Sequence, residues 1–414
     1  MAKIKAFRAV RPVRDKVHLV VSRAVTTYKK SILTAKLAEN PYTFIHIIHP
    51  EFFEKRGNKT APNSIERFKK VRKKFIEFYD KGIFQQEKKD SLYIYRQTKN
   101  NHQFVGVIAG TSVEEYQQNK IKKHEATLTS REETFTNYLE TVCMNAEPVL
   151  LCHEKNKVVD TLLNKIVQNR PENEFTTTDE VKHEIWIVQG KEKESLIKAY
   201  EDIESLYIAD GHHRSASSAK LSGRLEKKYP RNNSENHKFF LSYLINEEQL
   251  KILPFNRLCK SLNGHDTNTF LTALATNFDV TPLAKATEPN KLHEIHTFIN
   301  GKWYKLKCKS HIIDENDTVG TIDAEILTRY ILKPLLNIED LKTDKNIHFI
   351  SGEDSSLKME KKIKKGEYEV GFSLFPVTIN QLKNVADENA IMPPKSTWIE
   401  PKLRSGLVIY MIEE

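Results

Sequence analysis

Strand-like and helix-like patterns alternate along almost the whole of this chain, and that alternation restricts the fold more than any single residue does. Ile4 to Val10 is a short apolar stretch, and Arg8 to Pro12 reads as a strand running into a turn. Residues 29–40 carry a helical pattern on Ile32, Leu33 and Leu37, closed by Asn40-Pro41, after which Phe44 to Ile48 reads as a buried strand. Over 62–85 the residues Ile65, Phe68, Val71, Phe75 and Phe78 recur every three or four positions, so the spacing predicts one amphipathic helix capped near Asn63-Ser64. Leu92 to Arg96 and Gln103 to Thr111 flank Lys99-Asn100-Asn101 and predict a β-hairpin. The polar segment 114–140 is expected to be helical in part. Further strands are expected at Glu147 to Cys152, His183 to Val188, Leu206 to Ala209 and Phe239 to Ile245, with helices from Leu196 and over Ser215 to Lys227. Interspersed strands and helices make the fold class α+β, a mixed α/β chain. At 414 residues it has the length of about two to three domains. The expected division is an N-terminal α/β domain over 1–150, a core over 151–257 and a C-terminal α/β domain over 258–414.

Composition narrows the partners. The formal net charge is +10, which suits a polyanionic partner. The basic residues are nevertheless spread through pairs such as Lys29-Lys30, Lys122-Lys123 and Lys361-Lys362 rather than gathered in one block. That scatter weighs against nucleic acid without removing it from consideration. Cys143, Cys152, Cys259 and Cys308 match neither a zinc spacing nor a disulfide framework, and reduced thiols in a cytoplasmic protein are the simpler expectation. The N-terminus lacks the apolar core of a signal peptide, and no stretch approaches the ~20 apolar residues of a membrane span. A membrane is therefore not expected as a partner.

Chemistry concentrates where Leu206-Tyr207-Ile208-Ala209 runs into Asp210-Gly211-His212-His213-Arg214 and a helix follows. Backbone N–H groups at a helix start converge on one point, and the helix dipole favours an anion there. Gly211 permits a tight turn and close ligand approach. Arg214 is placed to clamp phosphate oxygens, and His212 and His213 to donate to phosphate or carry a proton. Asp210 is the candidate metal ligand, for Mg²⁺, or an orienter of a histidine. Taken singly, each of these residues is more simply a helix cap or a surface residue. As a set behind a buried strand they point to a nucleotide–metal site.

Two further clusters carry candidate groups. Lys122-Lys123-His124-Glu125, followed by Arg131-Glu132-Glu133, offers a general base, or a solvated helix face. Lys395, behind Pro393-Pro394 and ahead of Trp398, Glu400, Lys402 and Arg404-Ser405-Gly406, offers a cation for phosphate, or a plain C-terminal strand and turn. No G-x-x-x-x-G-K-[ST], no strand followed by G-x-G-x-x-G and no G-x-S-x-G occurs, so P-loop, Rossmann and serine-hydrolase sites lack support.

Tyr207 to Arg214 followed by Ser215-Ala216-Ser217 resembles the signature of a bacterial and archaeal domain-of-unknown-function family, number one thousand and fifteen. Ala6 to Pro12, Asn40 to His46, Lys122 to Glu125, Leu253 to Arg257, Phe372 to Pro376 and Met392 to Trp398 agree with that family in the same order. Its DGHHR box is similar to that of the ParB/sulfiredoxin-like free-serine kinases. The resemblance implies a ParB/sulfiredoxin-like nucleotide-binding core and transfer of a phosphoryl group from ATP or ADP to the hydroxyl of free L-serine, with Mg²⁺. It implies that Asp210 holds the metal and that Gly211, His212, His213 and Arg214 hold phosphates. A glutamate is expected to activate the hydroxyl, and Glu125 beside His124 is the candidate, with His213 as a further catalytic group. Val21 to Tyr28 depart from the Pro-Tyr-Asp-Val-type stretch of many relatives. The leading expectation is thus a small-molecule kinase. Its alternatives are a ParB-like nucleotide- or DNA-binding regulator without kinase activity, and a phosphohydrolase.

Overall fold

A computed structural model describes residues 2–54, 59–229, 234–352 and 355–413. The chain is a mixed α/β protein built as two compact units. The first unit takes Met1–Lys122, Thr127–Leu250 and Pro401–Glu414, and the second takes Lys123–Ala126 and Lys251–Glu400. The chain passes between the units at 122/123, 126/127, 250/251 and 400/401, where the sequence suggested a division at 150 and 257. Strands from both sides of residue 150 pair within one sheet, and residues beyond 400 belong to the first unit. A strand's pairing partner is set by the tertiary fold, which local patterning does not record.

The first unit is organised on a nine-stranded sheet. Its order is Ile121–Lys122, Leu206–Asp210, Val149–His153, Phe239–Asn246, His102–Ser112, Leu92–Lys99, Lys182–Val188 and Asn173–Thr176, with Ile4–Lys5 pairing alongside His102–Ser112. Leu206–Asp210 runs parallel to Ile121–Lys122, Val149–His153 runs parallel to Phe239–Asn246, and the other pairs are antiparallel. The expected hairpin is present, and Asn100 and Asn101 turn it with φ of 49° and 63°. Two consecutive left-handed residues match the twist of the flanking strands, and asparagine tolerates that conformation. Leu92, Ile94, Val107, Leu151, Leu206, Ile208 and Leu244 pack into one core on a face of this sheet.

A second core lies in the same unit. The helix Ile65–Asp80 buries Phe68, Val71, Phe75 and Phe78 at the expected spacing, and Ser64 Oγ accepts from Arg67 N at 3.2 Å. Each buried phenylalanine contributes about 1.5–3 kcal/mol over exposure. The helix stops at Asp80, short of the predicted 85, because Gly82 at φ 67° turns the chain into the strand Phe84–Gln86. The predicted strand at Phe44 to Ile48 is instead a short helix, Ile45–Ile48. A brief apolar run carries no period of its own. Here the His46 ring reaches back to the Asn40 carbonyl at 2.8 Å, and a helical turn puts Phe44 and Ile47 into the same core as Phe68. The polar segment 114–140 divides into the helices Val113–Gln117 and Thr129–Val142 around Ile121–Lys122.

The second unit holds a six-stranded antiparallel sheet in the order Phe278–Leu283, Lys302–Cys308, Glu294–Ile299, Val370–Leu374, Phe255–Cys259, Ile347–Ser351. Leu258, Phe298, Trp303 and Met359 form its core. Among the described residues no helix is long and apolar enough to cross a membrane.

Candidate functional site

The site in the first unit begins with an irregular strand. Along Leu206–Asp210 the register against Val149–His153 shifts: Ile208 pairs with Leu151 and Asp210 with Leu150, leaving Ala209 as the extra residue. Strict alternation would put Asp210 on the face of Leu206 and Ile208, inside the core. The bulge transfers its side chain to the Leu150 face. A carboxylate that regular pairing would bury among aliphatics is thereby left half-buried beside charged partners.

Gly211 follows at φ 106°, and the helix His212–Lys228 starts at once, so His212, His213 and Arg214 occupy its first turn. No side chain caps this helix, and its first turn contains no acidic residue. The partial positive charge of the N-terminus therefore meets no acid from its own first turn. A Cβ on residue 211 would lie 3.1 Å from Arg214 Nε and Nη2. The backbone conformation thus favours glycine, and any Cβ would also have to displace the guanidinium by a few tenths of an ångström.

Two cations surround Asp210. Lys402 Nζ lies 3.2 Å and Arg214 Nη2 3.9 Å from Asp210 Oδ2. Burial would push this carboxyl up, but the charge of Lys402, then that of Arg214, outweighs it and holds the group below the ordinary carboxylate range. Arg214 is itself fixed. It donates to the Pro148 carbonyl and, at 3.4 Å, to the Glu147 carbonyl, and it lies 3.3 Å from Glu147 Oε1. One guanidinium therefore stands between two carboxylates at the head of an uncapped helix. Magnesium takes oxygen ligands and commonly uses one or two carboxylates together with substrate phosphates. An ionised Asp210 offers one carboxylate to a phosphate-bound Mg²⁺ and does not make an all-protein cage.

A cavity of about 540 Å³ adjoins this cluster within the first unit, with Glu147 and Arg214 in its wall. The helix Thr129–Val142 contributes Arg131, Phe135 and Tyr138, and the helix Ile65–Asp80 contributes Arg67 and Phe68.

The sequence-derived candidates belong in part to each unit. Asp210, Gly211, His212, His213 and Arg214 stand together on the turn, with His212 buried and His213 half-buried. His124 and Glu125 belong to the second unit, where His124 is buried, its carbonyl accepts from Met392 N at 2.9 Å, and Glu125 is exposed. Lys395 also belongs to the second unit, exposed, with its ammonium 5.3 Å from the centre of the Phe255 ring. Sequence reasoning did not assign roles to Glu147 and Lys402. Lys402 lies 192 positions from Asp210, so no local pattern connects them. Glu147 sat beside a proline at the start of a predicted strand, the one available hint that it lies at a strand end.

Solved structures with related arrangements include a free serine kinase in complex with AMP, at 13% identity and TM-score 0.35 over 73% of this chain and 91% of that one. SbnI with a C-terminal truncation, from Staphylococcus aureus, matches at 11% identity and TM-score 0.37 over 71% and 82%. A conserved hypothetical protein from Pyrococcus furiosus matches at 15% identity and TM-score 0.33 over 75% and 97%. No curated protein sequence matches the chain. The sequence profile described as "Protein of unknown function (DUF1015)" matches residues 4–325, which include the Asp210–Arg214 turn, and the chain belongs to that family.

Proposed function

We propose that the first unit binds a nucleotide by its phosphates at the Asp210–Arg214 turn, with Mg²⁺, and transfers a phosphoryl group from ATP or ADP to the hydroxyl of a small molecule. Free L-serine is the acceptor that the DGHHR resemblance names. The observation that carries the reading is the charge arrangement at one uncapped helix head: Asp210 held ionised between Lys402 and Arg214, with Glu147 beyond. Phosphoryl transfer asks chiefly for positioning and charge neutralisation. In this reading the helix N-terminus and Arg214 meet the phosphates, and Lys402 supplies a second cation. Asp210 is the carboxylate that would hold the metal, whose contribution when bound is to neutralise phosphate charge. His213, in the first helical turn, is the candidate hydrogen-bond donor to the phosphates.

The test is a product assay. Purified protein is incubated with ATP or ADP, Mg²⁺ and a panel of free amino acids and hydroxy acids, and phosphorylated product is sought by mass spectrometry. The wild type is expected to form an acceptor-dependent product. Asp210→Asn is expected to lower the rate about 10²-fold or more, the scale of losing one fixed electrostatic group at a transferring centre. His213→Ala is expected to lower it as well. Variants that match the wild type would remove the turn from the mechanism.

A further inference from the structure

The cavity beside the turn is unlike a seat for free serine. At about 540 Å³ it falls within the ~300–1,000 Å³ of pockets that bury drug-sized ligands, and a small polar amino acid would leave most of it to water. Its walls are largely apolar: Phe44, Phe68, Phe135, Tyr138, Leu139 and Met144. Phe135 is 42% exposed, a large aromatic face left open where the cavity lies. Arg131, on the same helix and also in the wall, makes no ion pair among the described residues. An apolar chamber with an uncompensated guanidinium suits a ligand with an apolar body and an anionic group.

The same cavity wall holds an imidazole paired with a carboxylate. His49 Nδ1 lies 2.9 Å from Glu51 Oε1, and both residues are in the wall. Arg67 locks Glu51 with Nε on Oε2 at 3.0 Å and Nη2 on Oε1 at 3.1 Å, and Nη2 also donates to the Ile48 carbonyl at 2.6 Å. Burial would push the Glu51 carboxyl up, but the hydrogen bonds from Arg67 and His49 outweigh it and hold the group low. Arg67 Nη2 also approaches His49 Nδ1 at 3.2 Å, but its two hydrogens already have the Ile48 carbonyl and Glu51 as acceptors. A carboxylate only accepts, so Nδ1 carries the hydrogen, and in the neutral ring Nε2 carries the lone pair. An imidazole oriented by a carboxylate is the arrangement of a general base.

We propose that this cavity seats the phosphoryl acceptor, a hydroxy acid with an aromatic or large apolar body, and that His49 removes the proton from its hydroxyl. The inference rests on the phosphoryl-transfer reading and narrows its acceptor. The acceptor oxygen forms a bond to the terminal phosphorus, and the bond from that phosphorus to the bridging oxygen breaks. The nucleotide, one phosphoryl group shorter, leaves with that electron pair. The hydroxyl proton passes to His49 Nε2 and then to water. Glu51 acts through His49 as a positioning residue.

The test compares two acceptors, 3-phenyllactate and L-serine, with ATP, Mg²⁺ and the full chain. The expected result is a kcat/KM at least about tenfold higher for 3-phenyllactate, the low end of the scale for one buried methylene. Phe135→Ala is expected to remove that preference by raising KM for 3-phenyllactate while leaving KM for ATP unchanged. His49→Gln is expected to lower kcat about 10²-fold with little change in KM. Equal or better use of L-serine overturns the inference and leaves the transfer reading standing. A rise in KM for ATP in Phe135→Ala also overturns it, because the cavity would then hold the nucleobase. Absence of product from every acceptor ends both readings together. Far-UV circular dichroism of each variant separates loss of fold from loss of function.

Discussion

Gly211 and Asp210 show how much of the site is decided at single positions. Gly211 combines a left-handed φ with the close return of the Arg214 guanidinium. Gly211→Ala is expected to cost about 1–3 kcal/mol through backbone strain, read as a lower thermal midpoint, and to weaken nucleotide binding in a titration with ATP. Asp210 depends on distant charge. Lys402→Met removes the nearer of its two cations, so its carboxyl is expected to titrate closer to the ordinary value of 3.8. An NMR titration of the side-chain carbonyl checks this, and an unchanged midpoint would mean that Arg214 alone holds it down. At this scale the turn was legible, because five charge-handling or permissive residues sit next to one another in the chain. Glu147 and Lys402 were not, because what brings Glu147 to Arg214 and Lys402 to Asp210 is pairing between segments far apart in sequence.

Among the elements, long periodic segments were legible and short ones were not. Phe68, Val71, Phe75 and Phe78 repeat over more than two turns, and only a helix places all of them on one face. Phe75→Ala, at a buried position outside the cavity wall, is expected to destabilise the first unit by about 3–5 kcal/mol in a urea melt. A loss below about 1 kcal/mol would show that the helix packs loosely. Phe44 to Ile48 had no such repeat, and contacts from His46 to Asn40 and from Phe44 to its core decided for a helix. The bulge at Ala209 is the element-scale event that matters most for function. Nothing in Leu206 to Asp210 announces it, since Ile208 and Asp210 alternate as in any regular strand. It appears only where that strand is set against Val149–His153.

At the scale of the molecule, the C-terminal segment returns to complete the first unit. Arg404 is buried and lies 2.8 Å from Asp179 Oδ2, with Arg23 at 3.7 Å from the same oxygen. Burial would push the Asp179 carboxyl up, but Arg404, then the hydrogen bond from Thr177, then Arg23 bring it down to about 2 from 3.8. A folded-state pKa below the unfolded one stabilises above the unfolded value and is lost as pH falls through the folded value. The expected contribution, about 2 kcal/mol, is therefore complete above pH ~4 and disappears towards pH ~2. Asp179→Asn should flatten the stability profile across that window in denaturant melts at stepped pH. An identical profile would show that another carboxylate controls acid unfolding.

What the sequence determined by itself was local: the mixed α/β class, the hairpin at Asn100-Asn101, the amphipathic helix and the strand-to-helix turn at Asp210. Each is encoded in neighbouring residues, through side-chain period, turn conformation or charge brought together by the chain itself. The tertiary structure decided which strands pair, where Ala209 bulges, which cations hold Asp210, and that His49, Arg131 and Arg214 line one cavity. Those outcomes depend on packing between residues tens to hundreds of positions apart, and a strand's alternation records which face is buried but not which strand it pairs with.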